Sequence, residues 1–70
     1  MPKYYLNLTP QSTGEHEVHA EGCKWLKLVS RPEYLGFFSN CHEAVENAKF
    51  KHASYIIDGC KHCCPGCHTR

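Results

Sequence analysis

Long apolar runs are missing from this sequence. Nothing in its 70 residues approaches the length needed to cross a bilayer, and the opening Met1-Pro2-Lys3-Tyr4-Tyr5-Leu6-Asn7-Leu8 lacks the continuous hydrophobic segment of a signal peptide. The expectation is a cytoplasmic chain without a membrane partner, in a compartment that keeps thiols reduced. Asn7-Leu8-Thr9 has the glycosylation pattern, which has no consequence without export. Net charge is also scarce: Lys and Arg number 8 against 7 Asp and Glu. That balance argues against a bulk polyanion binder while leaving room for a small contact patch. There is no internal repeat, no low-complexity tract and no composition shift to mark a second domain, so residues 1–70 are read as one domain. At this size an apolar core alone is marginal, and a metal or a set of disulfides is expected to staple it.

The chain does have soft ligands, with 6 cysteines and 6 histidines. Four of the cysteines and two of the histidines fall in Gly59-Cys60-Lys61-His62-Cys63-Cys64-Pro65-Gly66-Cys67-His68. Gly and Pro break that stretch, which suits a metal knuckle better than a strand or helix. Cys60-x-x-Cys63 and Cys64-x-x-Cys67 are overlapping ligand pairs, since two intervening residues let both thiolates reach one ion about 2.3 Å away. A tetrahedron needs two more donors. His19-x-x-x-Cys23 supplies them, with Glu21-Gly22 turning the chain between its members. In a reducing compartment such a set binds metal more often than it forms disulfides, and a cystine framework has no use for the histidines.

The remaining segments read as scaffold. Lys3 to Leu8 alternates as a first strand, with Tyr4, Leu6 and Leu8 on one face and Tyr5 and Asn7 on the other. Pro10 to Gly14 is a turn or loop. Glu15 to Ala20 is a second strand, whose alternation places His16 and Val18 on one side and Glu17 and His19 on the other. Cys23 to Val29 fits either a helical turn or a strand. Ser30-Arg31-Pro32-Glu33 is read as a loop, because Pro32 disfavours helical geometry at Arg31. Tyr34 to Ser39, rich in aromatics, is a third strand. A helix follows with Asn40 as N-cap and Glu43 at N3. Cys41, Ala44, Val45 and Ala48 form its narrow apolar stripe, and Glu43, Glu46, Asn47, Lys49 and Lys51 face solvent. Ser54 to Asp58 is a last strand running into the knuckle. The fold class expected is α+β, a small antiparallel sheet carrying one main helix and closed at one end by Zn2+ on His19, Cys23, Cys60 and Cys63.

His19-x-x-x-Cys23 upstream, Cys60-x-x-Cys63 downstream and the Glu43-Ala44 helix between them resemble the zinc-binding N-terminal domain of the bacterial alkyl-DNA repair protein Ada and related small Ada-like modules. The resemblance covers roughly residues 16–64 and implies one zinc site from those four residues and an association with DNA. One departure is decisive for chemistry. Where the repair protein has a methyl-accepting cysteine, this chain has His19, and an imidazole cannot replace a zinc-bound thiolate as nucleophile. Methyl transfer is therefore not expected. Lys24, Lys27, Arg31, Lys49, Lys51, Lys61 and Arg70 are interspersed with acids, so DNA binding rests on the resemblance.

Other readings compete at single residues. Cys41, on the helix's apolar stripe, is read as a small core hydrophobe. His16, His42, His52 and His62 are read as surface residues. Cys64 and Cys67 are alternative ligands, a disulfide, or half of a second site with His62 and His68. Cys64-x-x-Cys67-His68 also has the haem-attachment pattern, which would require export, and Met1 is the only methionine. A thioredoxin-like Cys-x-x-Cys would need a following helix for which the chain leaves no room. Catalytic zinc needs an open position and an acid or base nearby. Four good ligands without such a partner point to a closed, non-catalytic site in a monomeric module that binds a protein or nucleic acid. The alternatives are a DNA-associated Ada-like module and a thiol-redox or metal-handling protein that uses the surplus Cys64, Cys67 and His68.

Overall fold

The computed structural model describes residues 2–69. Its elements are β1 (Lys3–Asn7), β2 (Glu15–Ala20), β3 (Pro32–Phe37), α1 (Cys41–Lys51) and β4 (Ile56–Gly59), with short 3-10 turns at Leu26–Leu28 and Pro65–Cys67. One helix on a four-stranded sheet gives the expected α+β class. The strand order is β3-β1-β2-β4. β1 is antiparallel to both β2 and β3, while β4 runs parallel to β2, with Glu15 opposite Ile56 and Val18 opposite Gly59. The sheet is therefore mixed rather than purely antiparallel. The pairing departs from the expectation because partners distant in sequence are joined by a crossover, here β3 and α1, which no local period encodes.

Alternation decides what each strand buries. Tyr4 and Leu6 of β1, Val18 of β2 and Ile57 of β4 are buried beneath Ala44, Val45 and Ala48 of α1, and Leu35 of β3 completes the cluster. The two alanines lie at 0 % exposure, so the helix sits close on the sheet. Its start is fixed by capping: Asn40 Oδ1 accepts from the Glu43 N–H at 3.0 Å, a contact whose loss costs about 1 kcal/mol in comparable helices. Glu43 in turn accepts from the Ser39 N–H and hydroxyl, reaching one residue further back than a usual capping box, and those bonds hold its carboxyl below the usual range. β3 begins at Pro32, which was read as loop. An edge strand tolerates proline at its first residue because no neighbour needs the missing N–H.

His16 corrects another expectation. It is buried on the core side with Val18, its ring stacked nearly parallel on that of Tyr55 with centroids 3.9 Å apart, and its Nδ1 lies 3.0 Å from the Asn7 carbonyl. Tyr55 stacks in turn on His52, whose Nε2 meets Glu33 Oε1 at 2.6 Å.

Candidate metal centre

Parallel pairing of β2 with β4 builds the site. His19 follows Val18 and Cys60 follows Gly59, so both residues leave the same end of two neighbouring strands, and the Cys60 N–H donates to the Val18 carbonyl at 2.9 Å. An antiparallel β4 would have carried Cys60 to the Glu15 end of β2, about 13 Å away at strand rise. The other two donors arrive by turns. Gly22, at φ +87°, lets the chain reverse so that the Cys23 N–H donates to the Ala20 carbonyl at 3.1 Å. After β4 the Cys64 N–H donates to the Cys60 carbonyl at 2.8 Å, closing the loop that holds Cys63. The Ala20 N–H then donates to Cys63 Sγ at 3.2 Å, tying the second ligand pair to the first.

The ligand atoms of His19, Cys23, Cys60 and Cys63 all lie within 4.8 Å of one another. Cys23 Sγ is 4.0 Å from Cys60 Sγ, and His19 Nδ1 is 3.8 Å from Cys23 Sγ and 3.9 Å from Cys63 Sγ. A tetrahedron with zinc-like bond lengths has edges of about 3.8 Å between sulfurs and about 3.6 Å between sulfur and nitrogen. A disulfide would need sulfurs about 2.05 Å apart. The spacing thus fits a metal between the thiols, and all six cysteines are free.

Electrostatics point the same way. Burial pushes the Cys60 thiol up to about 12 and raises that of Cys23, while the neighbouring Cys64 thiol, then burial, lift Cys63 beyond the usual thiol range. Burial also lowers the His19 pKa, which keeps its imidazole neutral. A cluster that disfavours its own thiolates this strongly becomes anionic only around a cation, which coordinates thiols as thiolates.

Glu17 is a member of the site that the sequence did not single out. It shares the His19 face of β2, and its Oε1 lies 3.8 Å from His19 Nε2. That is too long for a direct hydrogen bond, but the carboxylate's field favours a proton on Nε2 and leaves Nδ1 free to face the sulfurs. Burial raises the Glu17 pKa. The i, i+2 spacing on one strand face was the available signal. Glu17, His19 and Cys60 border a cleft of about 450 Å3, walled on its far side by Trp25, Leu28 and His62. Trp25 stacks on His62 with ring centroids 4.9 Å apart.

The tail is packed back on β4 through Gly59. A Cβ at Gly59 would stand 2.6 Å from Cys67 Cβ and 2.9 Å from the Cys64 carbonyl oxygen, closer than atoms can approach. Gly59→Ala is expected to displace the tail and to destabilise the protein by about 1–3 kcal/mol. In a domain of this size that lowers the thermal midpoint by at least about 4 °C, read by thermal melting. His68 does not join a metal cluster with His62. Its Nδ1 faces the Gly59 carbonyl at 3.1 Å and Asp58 Oδ2 at 3.3 Å, whereas His62 stacks on Trp25. Cys67 instead meets Cys41 and His42 at the start of α1. Cys41 packs against the core as expected, but it also takes part in this second group, and so does His42, which was read as a plain surface residue.

Comparison with protein families, curated proteins and solved structures finds no match to the chain. Among the described residues no helix is long and apolar enough to cross a membrane.

Proposed function

We propose that this chain is a small non-catalytic domain whose fold is completed by one Zn2+ on His19, Cys23, Cys60 and Cys63, and that it serves as an interaction module in the cytoplasm. The observation that carries the reading is the convergence of four donors, from two widely separated segments, all within 4.8 Å of one another and with three of their six separations at 3.8–4.0 Å, near the edges of a zinc tetrahedron. Three thiolates and an imidazole are the donor set that favours zinc over hard, oxygen-seeking cations. Four protein ligands fill the coordination sphere, leaving no position for a reactive water. Zinc here supplies cross-linking charge, and Glu17 orients the one imidazole ligand. The surface nearest the ion is the loop tethered by Cys23, which carries the exposed Trp25 and Leu28. Apolar groups on a loop fixed by the metal support a protein or nucleic-acid partner over a small-molecule substrate.

A DNA-associated role, as in Ada-like modules, is the second reading. It rests on the ligand pattern, and His19 in place of a nucleophilic cysteine makes it a binding role without methyl transfer.

The test is intact mass under native and denaturing conditions for the wild type and Cys60→Ser. One zinc held by the wild type at this site and lost in the variant is the expected result. A zinc content that Cys60→Ser leaves unchanged would defeat the proposed site. Duplex DNA binding that falls steeply with salt would favour the second reading over a protein partner.

A further inference from the structure

Outside that site a second set of donors is brought together that no single stretch of sequence contains. Cys41 and His42 form the first turn of α1, and Cys67 ends the Pro65–Cys67 turn. Their ligand atoms lie within 4.8 Å of one another. The tail reaches the helix because Gly59 admits Cys67 and the Cys64 carbonyl against the strand end, an approach that any side chain at Gly59 would block. The turn lies against His42, whose Nε2 stands 3.9 Å from where a Gly66 Cβ would be, an ordinary contact. Cys64 is buried at 1 % exposure, and its carbonyl accepts from the Cys67 N–H at 3.0 Å, which closes the turn that presents Cys67.

We propose that Cys41, His42 and Cys67 form a second zinc-class metal site. The first site uses neither member of Cys64-x-x-Cys67, a pair with the spacing of a zinc knuckle. The donor set is again sulfur and imidazole, which selects zinc-class ions over calcium or magnesium. The two sites differ in exposure. Three donors of the first, His19, Cys23 and Cys60, are buried and only Cys63 is half-buried, whereas in the second His42 is exposed and Cys41 and Cys67 are half-buried. The second ion is therefore the exchangeable one.

The test is zinc titration of the reduced full chain followed by native mass spectrometry, for the wild type, His42→Ala, Cys67→Ser and Cys23→Ser. The wild type is expected to hold two zinc ions. His42→Ala and Cys67→Ser are each expected to hold one, and a weak chelator should withdraw the second ion from the wild type before the first. His42 is exposed and outside the core, so its variant keeps the fold even if Cys67→Ser does not. A wild type that saturates at one zinc, lost in Cys23→Ser and retained in His42→Ala, would overturn the second site and leave the first intact. Two ions still bound in both His42→Ala and Cys67→Ser would also overturn it. A wild type that binds no zinc removes both sites at once. A Cys41–Cys67 disulfide that persists after mild reduction would replace metal binding there by a redox role.

Discussion

Stripping the metal with a strong chelator is expected to unfold the protein, with loss of its circular dichroism and of any cooperative thermal transition, and returning zinc is expected to restore both. The size of the effect follows from comparing two magnitudes. A structural zinc contributes about 10–16 kcal/mol of apparent binding free energy, and the whole stability of a domain is about 5–15 kcal/mol. The apolar core here has little in reserve, since two of its helix positions are alanines and its largest fully buried aliphatic side chains are Leu6 and Val18. Without the ion, three thiols and a neutral imidazole face one another in a buried pocket with only weak sulfur hydrogen bonds between them. The segments after β2 and β4 are then held to each other by the Ala20 N–H to Cys63 contact and the Trp25–His62 stack. A melting curve unchanged by complete metal removal would show that the sheet and helix suffice, and the structural role of the metal would fall.

What the sequence disclosed about this site depended on range. The four converging donors were legible as two local pairs: the residues of His19-x-x-x-Cys23 and of Cys60-x-x-Cys63 lie within one turn of each other, and chemistry at that range shows in spacing. Strand alternation likewise put His19 on the opposite face from Val18, as observed. How the two pairs meet was not legible. It depends on β4 lying parallel to β2, a non-local pairing with no local signature. The group at Cys41, His42 and Cys67 was hidden for the same reason, and also because the helical stripe already accounted for Cys41 as a core residue. It packs against the core and contributes to the cluster as well. His16 is buried in spite of its polarity, following its place on the Val18 face of the strand alternation. A stacking partner, Tyr55, and a backbone carbonyl satisfy the ring inside.

The affinity of the first site for zinc is expected to rise by about a thousandfold per pH unit near neutrality. The slope counts protons, because each proton displaced by the metal contributes tenfold per unit. In the folded, metal-free cluster all three thiols are protonated at pH 7: burial pushes Cys60 up to about 12, and Cys23 and Cys63 are raised as well. If metal removal unfolds the chain, the thiols return to about 8.5 and are still protonated. Both reference states therefore give up three protons when zinc binds. The imidazole adds little at pH 7: burial lowers the His19 pKa in the folded chain, and in an unfolded chain with a pKa of about 6.5 it carries about a quarter of a proton. Below about pH 6.5 the unfolded His19 is mostly protonated, and the dependence steepens toward four. The sign is fixed: acid releases the metal, and alkali up to the thiol range tightens it. Chelator competition between about pH 6 and 8 measures the slope, and performing it on His42→Ala keeps the second site out of the reading. A slope near one would mean that a single thiol is displaced, and the three-sulfur coordination would have to be abandoned. Glu17→Gln separates orientation from charge in the same experiment. If the carboxylate's field sets the His19 tautomer, the variant loses affinity by about 10–100-fold while the proton count stays at three.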